Sequence, residues 1–528
     1  MPLASRHPYY EEHEQDWEEC RDCYEGEAAI KEKASRYLPP TGGMCLDGYP
    51  TPNTKGAADY TNYKSRAQFH NYFKKSVLHH MGLLWHKAAT VELPKKMEPL
   101  KDDCTRHHES VLQLLRVMHE ELLVTGRLLL YIDLPKGQTL EEVLPTICLY
   151  RAEAIINWDE GRATEVDADT INMVVLDESG PRRKDLFSWE RIDEFRVLFL
   201  GDPQLNENNA ALLSDVTGPV FSAGIFEGED DFDPKTLIVP NWRGKTLDFI
   251  PVVFINSKDT TPTPDDPPQL DLARLDLHIY KSEADLRQAL HMQAQPTLVL
   301  IGDGNTEQVT PEGETEQKGV RTGAGAVIRI SNPAGDAKYI GVDPTGIPEM
   351  RTTLENDMRR AEMMSGSMTD NRSNDKESGD AMGKRMAAES CKLINVAETA
   401  ALGLQKALRM IAEWMGLDPE EVTVTANTEF SYTPLTPKDL LDLQSFKTAG
   451  GPISDESIHI NVKRSGLSDK DYEAENEAIA EEEPRIDHGG APLDAPLDPM
   501  QQQTLDHAEE RLALDKQAAQ REAKAPAR

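Results

Sequence analysis

The residues that could carry chemistry in this sequence do not form a recognisable metal-binding motif. Cys20 and Cys23 form a Cys-x-x-Cys pair, but no second pair follows at the spacing of zinc ligands. Two adjacent histidine pairs, at 79–80 and 107–108, fall in or beside segments with helical spacing. Adjacent side chains on a helix point in different directions, and no carboxylate-rich third ligand is evident. We therefore predict free thiols, surface or core histidines, and no metal site.

Two glycine-rich stretches match nucleotide-binding loops only in part. GDGN, at 302–305, follows a predicted strand but lacks the third glycine and the immediate helix of a dinucleotide fingerprint. GVRTGAGAV, at 319–327, contains no Gly-Lys-Ser/Thr phosphate cradle. The sequence also lacks a Gly-x-Ser-x-Gly elbow and a His-Glu-x-x-His pair. We expect no catalytic residue, no cofactor and no enzymatic activity, with an acidic enzyme of unrecognised site as one alternative.

Charge and composition restrict the class of protein further. The chain has 528 residues, with 57 Lys and Arg against 92 Asp and Glu, a net charge of −35. Such a surface repels nucleic acid and anionic membranes on average, which argues against a protein that clings to DNA. It is compatible with a protein that DNA must pass without adhering. Apolar residues make up 38%, so part of the chain is expected to be extended, solvated or buried only in an assembly.

No feature of the sequence predicts secretion or a membrane span. The acidic and aromatic N-terminus differs from a signal peptide, and no apolar run approaches the length of a spanning helix. The six cysteines are dispersed, as is usual in a reducing compartment. We therefore expect a soluble protein made in the cytoplasm, with no membrane partner.

Hydrophobic spacing predicts an α+β fold. Helices are predicted from about Asp59 to Trp85 and over 101–126, followed by short Val-, Ile- and Leu-rich runs between about Arg127 and Asn256. The spaces between these runs are mostly too short for crossover helices, so a largely antiparallel sheet is expected, with the helices packed on it.

The second half of the chain alternates between long helices and short strands. Helices with narrow apolar stripes and broad polar faces are predicted at 270–292 and 347–364, with short strands between them. The longest helix is predicted at 381–415, followed by a strand and short helices. The acidic tail from about Ser468 is predicted to be disordered, or ordered only by neighbours.

Between the last two long helices lies SGSMTDNRSNDKESGD, Ser365 to Asp380, whose one large apolar residue is Met368. Taken alone, this segment is either a linker between domains or a functional loop.

This order of elements, together with five sequence segments, resembles the portal proteins of tailed bacteriophages. The likeness is to one portal family in particular, formerly a domain of unknown function, and it covers residues from about Tyr60 to Leu467. The matching segments are 121–135, 150–158, 250–256, 267–302 and 377–416. The third and fifth of these segments, 250–256 and 377–416, are the most specific, whereas the polar segment 365–380 departs from any fixed pattern.

The resemblance implies a definite function. Portals form rings, usually of about twelve subunits, at one capsid vertex, and double-stranded DNA is packaged and ejected through the central channel. The implied partners are other copies of the chain, the large terminase subunit, the head–tail adaptor, and the major capsid and scaffold proteins. The implied location is the portal vertex of the virion, after assembly in the host cytoplasm. Another head-assembly component, such as an adaptor, minor capsid or scaffold protein, is the alternative.

The resemblance also divides the chain into portal-type regions. These are an N-terminal acidic arm (1–56), an α/β wing (57–265), stem helix 1 (266–294), a small β clip (295–345), stem helix 2 (346–364), a tunnel loop (365–380), a long wing helix with the following strand and helices (381–467), and a helical crown or acidic tail (468–528).

Within these regions the resemblance suggests two sets of functional residues. The candidates for the DNA channel are Asn371, Arg372, Asn374, Lys376, Lys384 and Arg385, and the candidates for motor docking are Glu312, Glu314, Lys318 and Arg321. Basic residues in a channel can make transient phosphate contacts. The alternative is that they are solubilising charges on an exposed segment.

Overall fold

A computed structural model describes most of the chain. The described residues are 2–134, 144–160, 171–201, 218–228, 232–241, 245–294, 297–301, 307–309, 315–317, 336–340, 344–366, 379–428, 437–464, 467–468 and 470–481. The chain divides into two compact units, Met1–Ser431 and Tyr432–Arg528.

The first unit begins with a layer of helices. Along residues 2–134 these are α1 (Pro8–Glu25), α2 (Glu27–Glu32), α3 (Gly42–Leu46), α4 (Lys55–Arg66), α5 (Tyr72–Leu84) and α6 (Val111–Val124), with strand β1 (Thr90–Glu92) between α5 and α6. Side chains satisfy the free N–H groups at several helix starts. At α6, Ser110 and Gln113 form a reciprocal capping box, with N···O distances of 3.2 and 2.8 Å.

The first 56 residues are not an arm, which corrects the expectation for 1–56. Helix α1 places Trp17, Cys20 and Cys23 on one face, and all three are fully buried. Arg21 of the same helix pairs with Glu121 at 2.5 Å and with Glu153 at 2.8 Å. The acidic average of this segment reflects its outer face only, whereas its apolar residues recur at helical spacing and join the core.

The helix predicted from Asp59 to Trp85 is two helices, α4 and α5. Asn71 separates them because it adopts a left-handed conformation, with φ of 51°, and its side chain accepts the N–H of Lys74 at 2.9 Å. Asparagine tolerates this conformation, so the chain turns without a glycine or proline. The prediction of one continuous helix was therefore wrong.

The sheet region is antiparallel, as predicted. Its strands are β2 (Arg127–Asp133), β3 (Thr146–Arg151), β4 (Ile155–Glu160), β5 (Ile171–Asp177), β6 (Gly180–Arg183), β7 (Trp189–Ile192), β8 (Glu194–Gly201), β9 (Val220–Glu227) and β10 (Val252–Asn256). They form a three-stranded sheet in the order β10-β2-β3, a four-stranded sheet in the order β4-β5-β8-β9, and the separate hairpin β6-β7. The described pairings are all antiparallel.

Next along the chain is a helix pair with a β unit between its members. Helix α7 (Leu270–Ala294) is followed by β11 (Thr297–Ile301), β12 (Glu307–Val309), β13 (Thr315–Gln317) and β14 (Asp336–Ile340), and then by helix α8 (Ile347–Met364). Strand β11 pairs with β14 and β12 pairs with β13, both antiparallel. The predicted bounds of both helices are confirmed.

The longest helix of the described chain, α9 (Gly379–Trp414), packs on the three-stranded sheet. It is followed by β15 (Thr423–Thr425), which pairs with β1. At 1.5 Å per residue its 36 residues span roughly 54 Å. Its apolar residues at helical spacing, from Leu393 to Ile411, form a buried seam, and Met415 at the end is half-buried.

Two apolar clusters stabilise the first unit. One lies between the sheets, α6 and the second half of α9, and the other surrounds α7 with α4, α5 and α8. Helices packed on antiparallel sheets confirm the predicted α+β class.

The second unit is described for three helices, α10 (Pro437–Thr448), α11 (Asp455–Arg464) and α12 (Tyr472–Glu481). Each packs on the next. Most of the predicted crown or tail, 468–528, lies outside the described residues. None of the helices that the structure describes combines the length and the hydropathy that crossing a bilayer requires.

Candidate functional site

The pair α7–α8 is an antiparallel hairpin of helices. At one end Thr297, just after α7, lies opposite Ile340, just before α8. Farther along, His278 of α7 lies 3.6 Å from Asp357 of α8. The two helices therefore run antiparallel. The β unit lies at the end of the pair where α7 ends and α8 begins.

Helix α8 touches the rest of the described chain along a single narrow seam. Its buried residues are Ile347, Leu354 and Ala361, which are seven residues apart. That spacing brings them to nearly the same angle around the helix. Asp357 and Met358 are half-buried, and most of the remaining circumference is exposed. The predicted combination of a narrow apolar stripe and a broad polar face is confirmed for this helix.

Helix α7 differs, because the helical layer covers it. Arg274 pairs with Asp16 at 2.5 Å, and the Tyr63 hydroxyl donates to Asp285 at 2.5 Å. Of the predicted stripe, Leu272, Ile279 and Leu286 are buried, Leu275 is half-buried and Leu290 is exposed. Residues on other sides of the helix are buried as well. The polar face of α7 is narrower than expected, since its exposed residues Asp271, Arg274, His278, Lys281 and Asp285 lie along one strip of the helix, and of the two helices α8 has the broader exposed face.

A buried carboxylate fastens α7 to the start of α5. Asp276 is 1% exposed and accepts the backbone N–H of Phe73 at 3.0 Å. Burial raises the pKa of this carboxyl to about 6, against the opposing effect of the Phe73 and Tyr72 N–H groups and of Lys75. The contact satisfies a helix N-terminus with an acidic group, which suits the helix dipole.

The exposed face of α8 carries arginines that the sequence interpretation missed. Opposite the buried seam lie Thr352, Asn356, Arg359 and Arg360, all exposed. Arg351, near the helix start, is also exposed. A helical wheel of residues 347–364 places them on one face once the seam at 347, 354 and 361 is known to be buried. Hydroxyl, amide and guanidinium groups on one face are donors that suit phosphate oxygens.

A cavity of about 290 Å³ lies at the end of the helix pair away from the β unit. His80, Leu272, Met364 and Lys392 are among its lining residues. Burial lowers the pKa of His80 to about 4, and the neighbouring charges of His79 and Lys392 act in the same direction, so this ring is neutral at pH 7. No serine, threonine or cysteine nucleophile is among the described residues that line this cavity.

The residues predicted for the channel and for motor docking lie almost entirely outside the described part of the chain. Lys384 and Arg385 fall within α9, where the structure describes the backbone only. The remaining predicted residues all lie outside the described part of the chain; they are Asn371, Arg372, Asn374, Lys376, Glu312, Glu314, Lys318 and Arg321.

The predicted free thiols are confirmed, and the structure shows how exposed the histidine pair at 79–80 is. Cys20 and Cys23 are free and fully buried, and burial raises the pKa of both. His79 is exposed and His80 is half-buried on α5. Over the residues that the structure describes, no group of three or more histidine, cysteine and acidic side chains is arranged to hold a metal ion.

Comparison with known proteins gives one family match and several structural likenesses. A family model described as "Domain of unknown function (DUF4055)" matches residues 268–415, from the start of α7 to the end of α9. This span is less than half of the chain. Among curated proteins, none matches.

Solved structures similar to this chain include two chains of gene transfer agent particles. One, titled "Virion of native gene transfer agent (GTA) particle", has 13% identity and a TM-score of 0.35, covering 79% of this chain and 97% of that one. The other, titled "Neck of empty GTA particle computed with C6 symmetry", has 12% identity and a TM-score of 0.37, covering 79% of this chain and 98% of that one.

Proposed function

We propose that this chain is a portal subunit of a tailed bacteriophage, one of about twelve in a ring through which the genome enters and leaves the head. The sequence resemblance described above supports the proposal. The single structural observation that carries it is the α7–α8 hairpin, whose first helix is fixed in the core while the second leaves most of its surface uncovered. In a ring, that surface would line the channel or meet the neighbouring subunit.

The near balance of acidic and basic residues on α8 suits a surface along which DNA slides without binding tightly. Three arginines, 351, 359 and 360, stand against four carboxylates, those of Glu349, Glu355, Asp357 and Glu362. A strongly basic helix would bind phosphates through counterion release and slow the passage of DNA. A nearly balanced helix can touch phosphates briefly and release them. Under this proposal Arg359 and Arg360 make those contacts, and the acidic remainder of the chain limits adhesion.

The proposed role is structural and not catalytic. It requires no metal or cofactor, and its partners are double-stranded DNA, the large terminase subunit, the head–tail adaptor, and the major capsid and scaffold proteins. The β unit between α7 and α8 lies at the end of the hairpin and would meet the terminase and later the adaptor. The polar segment 365–380 would act as the tunnel loop. The protein would reside at the portal vertex of the virion.

Assembly and genome packaging test the proposal. Negative-stain microscopy of the purified full-length chain should show rings with a central hole, and a stable monomer at high concentration would contradict the proposal. Phage lacking this gene should make heads without DNA. Heads that fill and then lose DNA would indicate an adaptor, and failure to form heads would indicate a scaffold.

The role of α8 can be tested in the same phage. Charge reversal in R359E/R360E should leave ring formation intact and reduce packaged DNA several-fold, because two phosphate contacts per subunit become repulsive. The matched control is K95E/K96E, a pair of exposed lysines in the turn that follows β1, which should package normally. Equal packaging by both variants would show that α8 does not face DNA.

A further inference from the structure

The hairpin β6–β7 carries three large apolar side chains that nothing in the described chain covers. Phe187 is 89% exposed, Leu186 is 67% exposed and Trp189 is 66% exposed. Single apolar residues scattered on a surface are ordinary, but three within four residues at one hairpin tip are unusual, and exposed apolar groups of this kind often mark interaction sites. None of the three belongs to the apolar clusters of the first unit.

Hydrogen bonds within the hairpin tip hold its conformation. The Asp185 carboxylate accepts the N–H groups of Phe187 and Ser188, both at 2.8 Å, and the Ser188 hydroxyl at 2.5 Å. These bonds hold the pKa of Asp185 below its ordinary value. The Arg183 guanidinium donates to the carbonyls of Asp185 and Leu186. Hydrogen bonds made by the side chains of Asp185 and Arg183 therefore hold the loop in one conformation. This fixes the directions in which Leu186 and Phe187 project.

The base of the hairpin is anchored in the four-stranded sheet. Strands β5 and β8 are paired neighbours, and the hairpin continues the connection between them. At the junction, Glu178 receives the Arg196 guanidinium at 2.6 Å, and Arg196 is 5% exposed. Arg182 reaches across to Glu227 at the end of β9. An isolated two-stranded hairpin is marginally stable in water, so these anchors keep this one ordered while its tip is uncovered.

The charge of the hairpin selects the kind of partner. Residues 180–192 contain Arg182, Arg183, Lys184 and Arg191 against Asp185 and Glu190, a net charge of +2. The whole chain carries −35. Arg182 pairs with Glu227, Lys184 pairs with Glu190 and Arg183 bonds to the tip, so Arg191 is the exposed cation that complements the acidic surface of another copy of the chain. Charge complementarity of this kind fixes register and excludes wrong partners.

We propose that the β6–β7 hairpin docks onto a second copy of this chain, with Phe187 and Trp189 as the buried anchors and Arg191 at the rim of the contact. Aromatic and arginine side chains carry most of the energy in typical interfaces. The contact is heterologous, since a hairpin on one copy meets a different surface on the next, and such contacts form a ring when the rotation between neighbouring copies closes. The inference rests on the proposed function only in identifying that copy as the neighbouring subunit.

Photo-cross-linking tests the contact directly. Phe187 is replaced by a photoreactive benzoylphenylalanine in the full-length chain, and adducts are identified by mass spectrometry. We expect adducts between two copies, at residues outside the hairpin of the acceptor copy. Absence of an adduct between copies, or adducts only with another phage protein, would overturn the proposal.

Assembly of a tip variant separates this inference from the proposed function. F187S/W189S should fold as the wild type does, because both side chains are exposed, yet raise the concentration for half-assembly at least tenfold. L46S, at a site 90% exposed in the helical layer, is the matched control and should assemble normally. Rings of equal stability from wild type and F187S/W189S would overturn the docking role and leave the ring proposal standing. A wild type that forms no ring overturns the portal proposal, and the cross-link then decides the hairpin contact alone.

Discussion

At the scale of single residues, Asp276 is a carboxylate whose burial affects stability in a pH-dependent way. Its folded-state pKa of about 6 lies above the ordinary value of 3.8. A carboxyl group with a raised pKa favours the folded state below pH 3.8, and that contribution is lost as the pH rises through 6. Above pH 6 the ionised group therefore costs stability, even though it accepts the N–H of Phe73.

We predict that D276N increases the free energy of unfolding above pH 6 by up to about 3 kcal/mol, since the shift is close to two pKa units. The amide oxygen retains the acceptor for Phe73 while the buried charge is removed. Urea denaturation at pH 4 and pH 8 measures the effect, which should nearly vanish at the lower pH. D271N, at an exposed position of the same helix, should change little at either pH. A D276N chain less stable at pH 8 would show that the negative charge is needed there.

At the scale of elements, the close approach of α9 to the sheet depends on Gly403. A Cβ at this position would lie 2.3 Å from Cδ1 and 2.5 Å from Cγ1 of Ile255, which is fully buried on β10. We predict that G403A destabilises the chain by about 1–3 kcal/mol, because one of two packed elements must shift.

A double-mutant cycle can assign that cost to Ile255. In an I255A background, G403A should cost much less, since the clashing side chain is gone. G82A is the matched control, because no atom lies within 4 Å of the added Cβ on α5. Alanine there should stabilise by about 0.5–1 kcal/mol through helix propensity. Equal costs of G403A with and without Ile255 would show that the contact does not limit the packing.

The sequence predicted long periodic elements better than it predicted their surroundings. Helices α7, α8 and α9 were predicted within a few residues, because each carries apolar residues at helical spacing over several turns. The break at Asn71 was missed, since its left-handed backbone has no glycine or proline signal. The helical layer over α7 was also missed, because which side of a helix is covered depends on distant segments. In the site, the two helices could be predicted, whereas their antiparallel pairing depends on the fold, and the arginine face of α8 required knowing which seam is buried.

At the scale of the whole molecule, the N-terminal residues are part of the core of the first unit. Trp17 is fully buried and packs edge-to-face with Tyr10, with ring centroids 5.5 Å apart. Arg21 links α1 to Glu121 of α6 and to Glu153 beside the sheet. Helix α1 thus joins the helical layer, α7 and the sheet region, so ring formation would depend on a segment far in sequence from the proposed channel.

We predict that W17A lowers the free energy of unfolding by about 3–5 kcal/mol, as expected for a large aromatic side chain removed from a packed core. Y9A, on the same helix at a position 44% exposed, should cost less than 1 kcal/mol. Thermal unfolding of the full chain measures both. Deleting residues 2–40 removes all of α1 and α2, and the truncated chain should aggregate instead of assembling. A truncated chain that folds and forms rings would show that this segment is an accessory arm, because its buried contacts would then be dispensable to both fold and assembly.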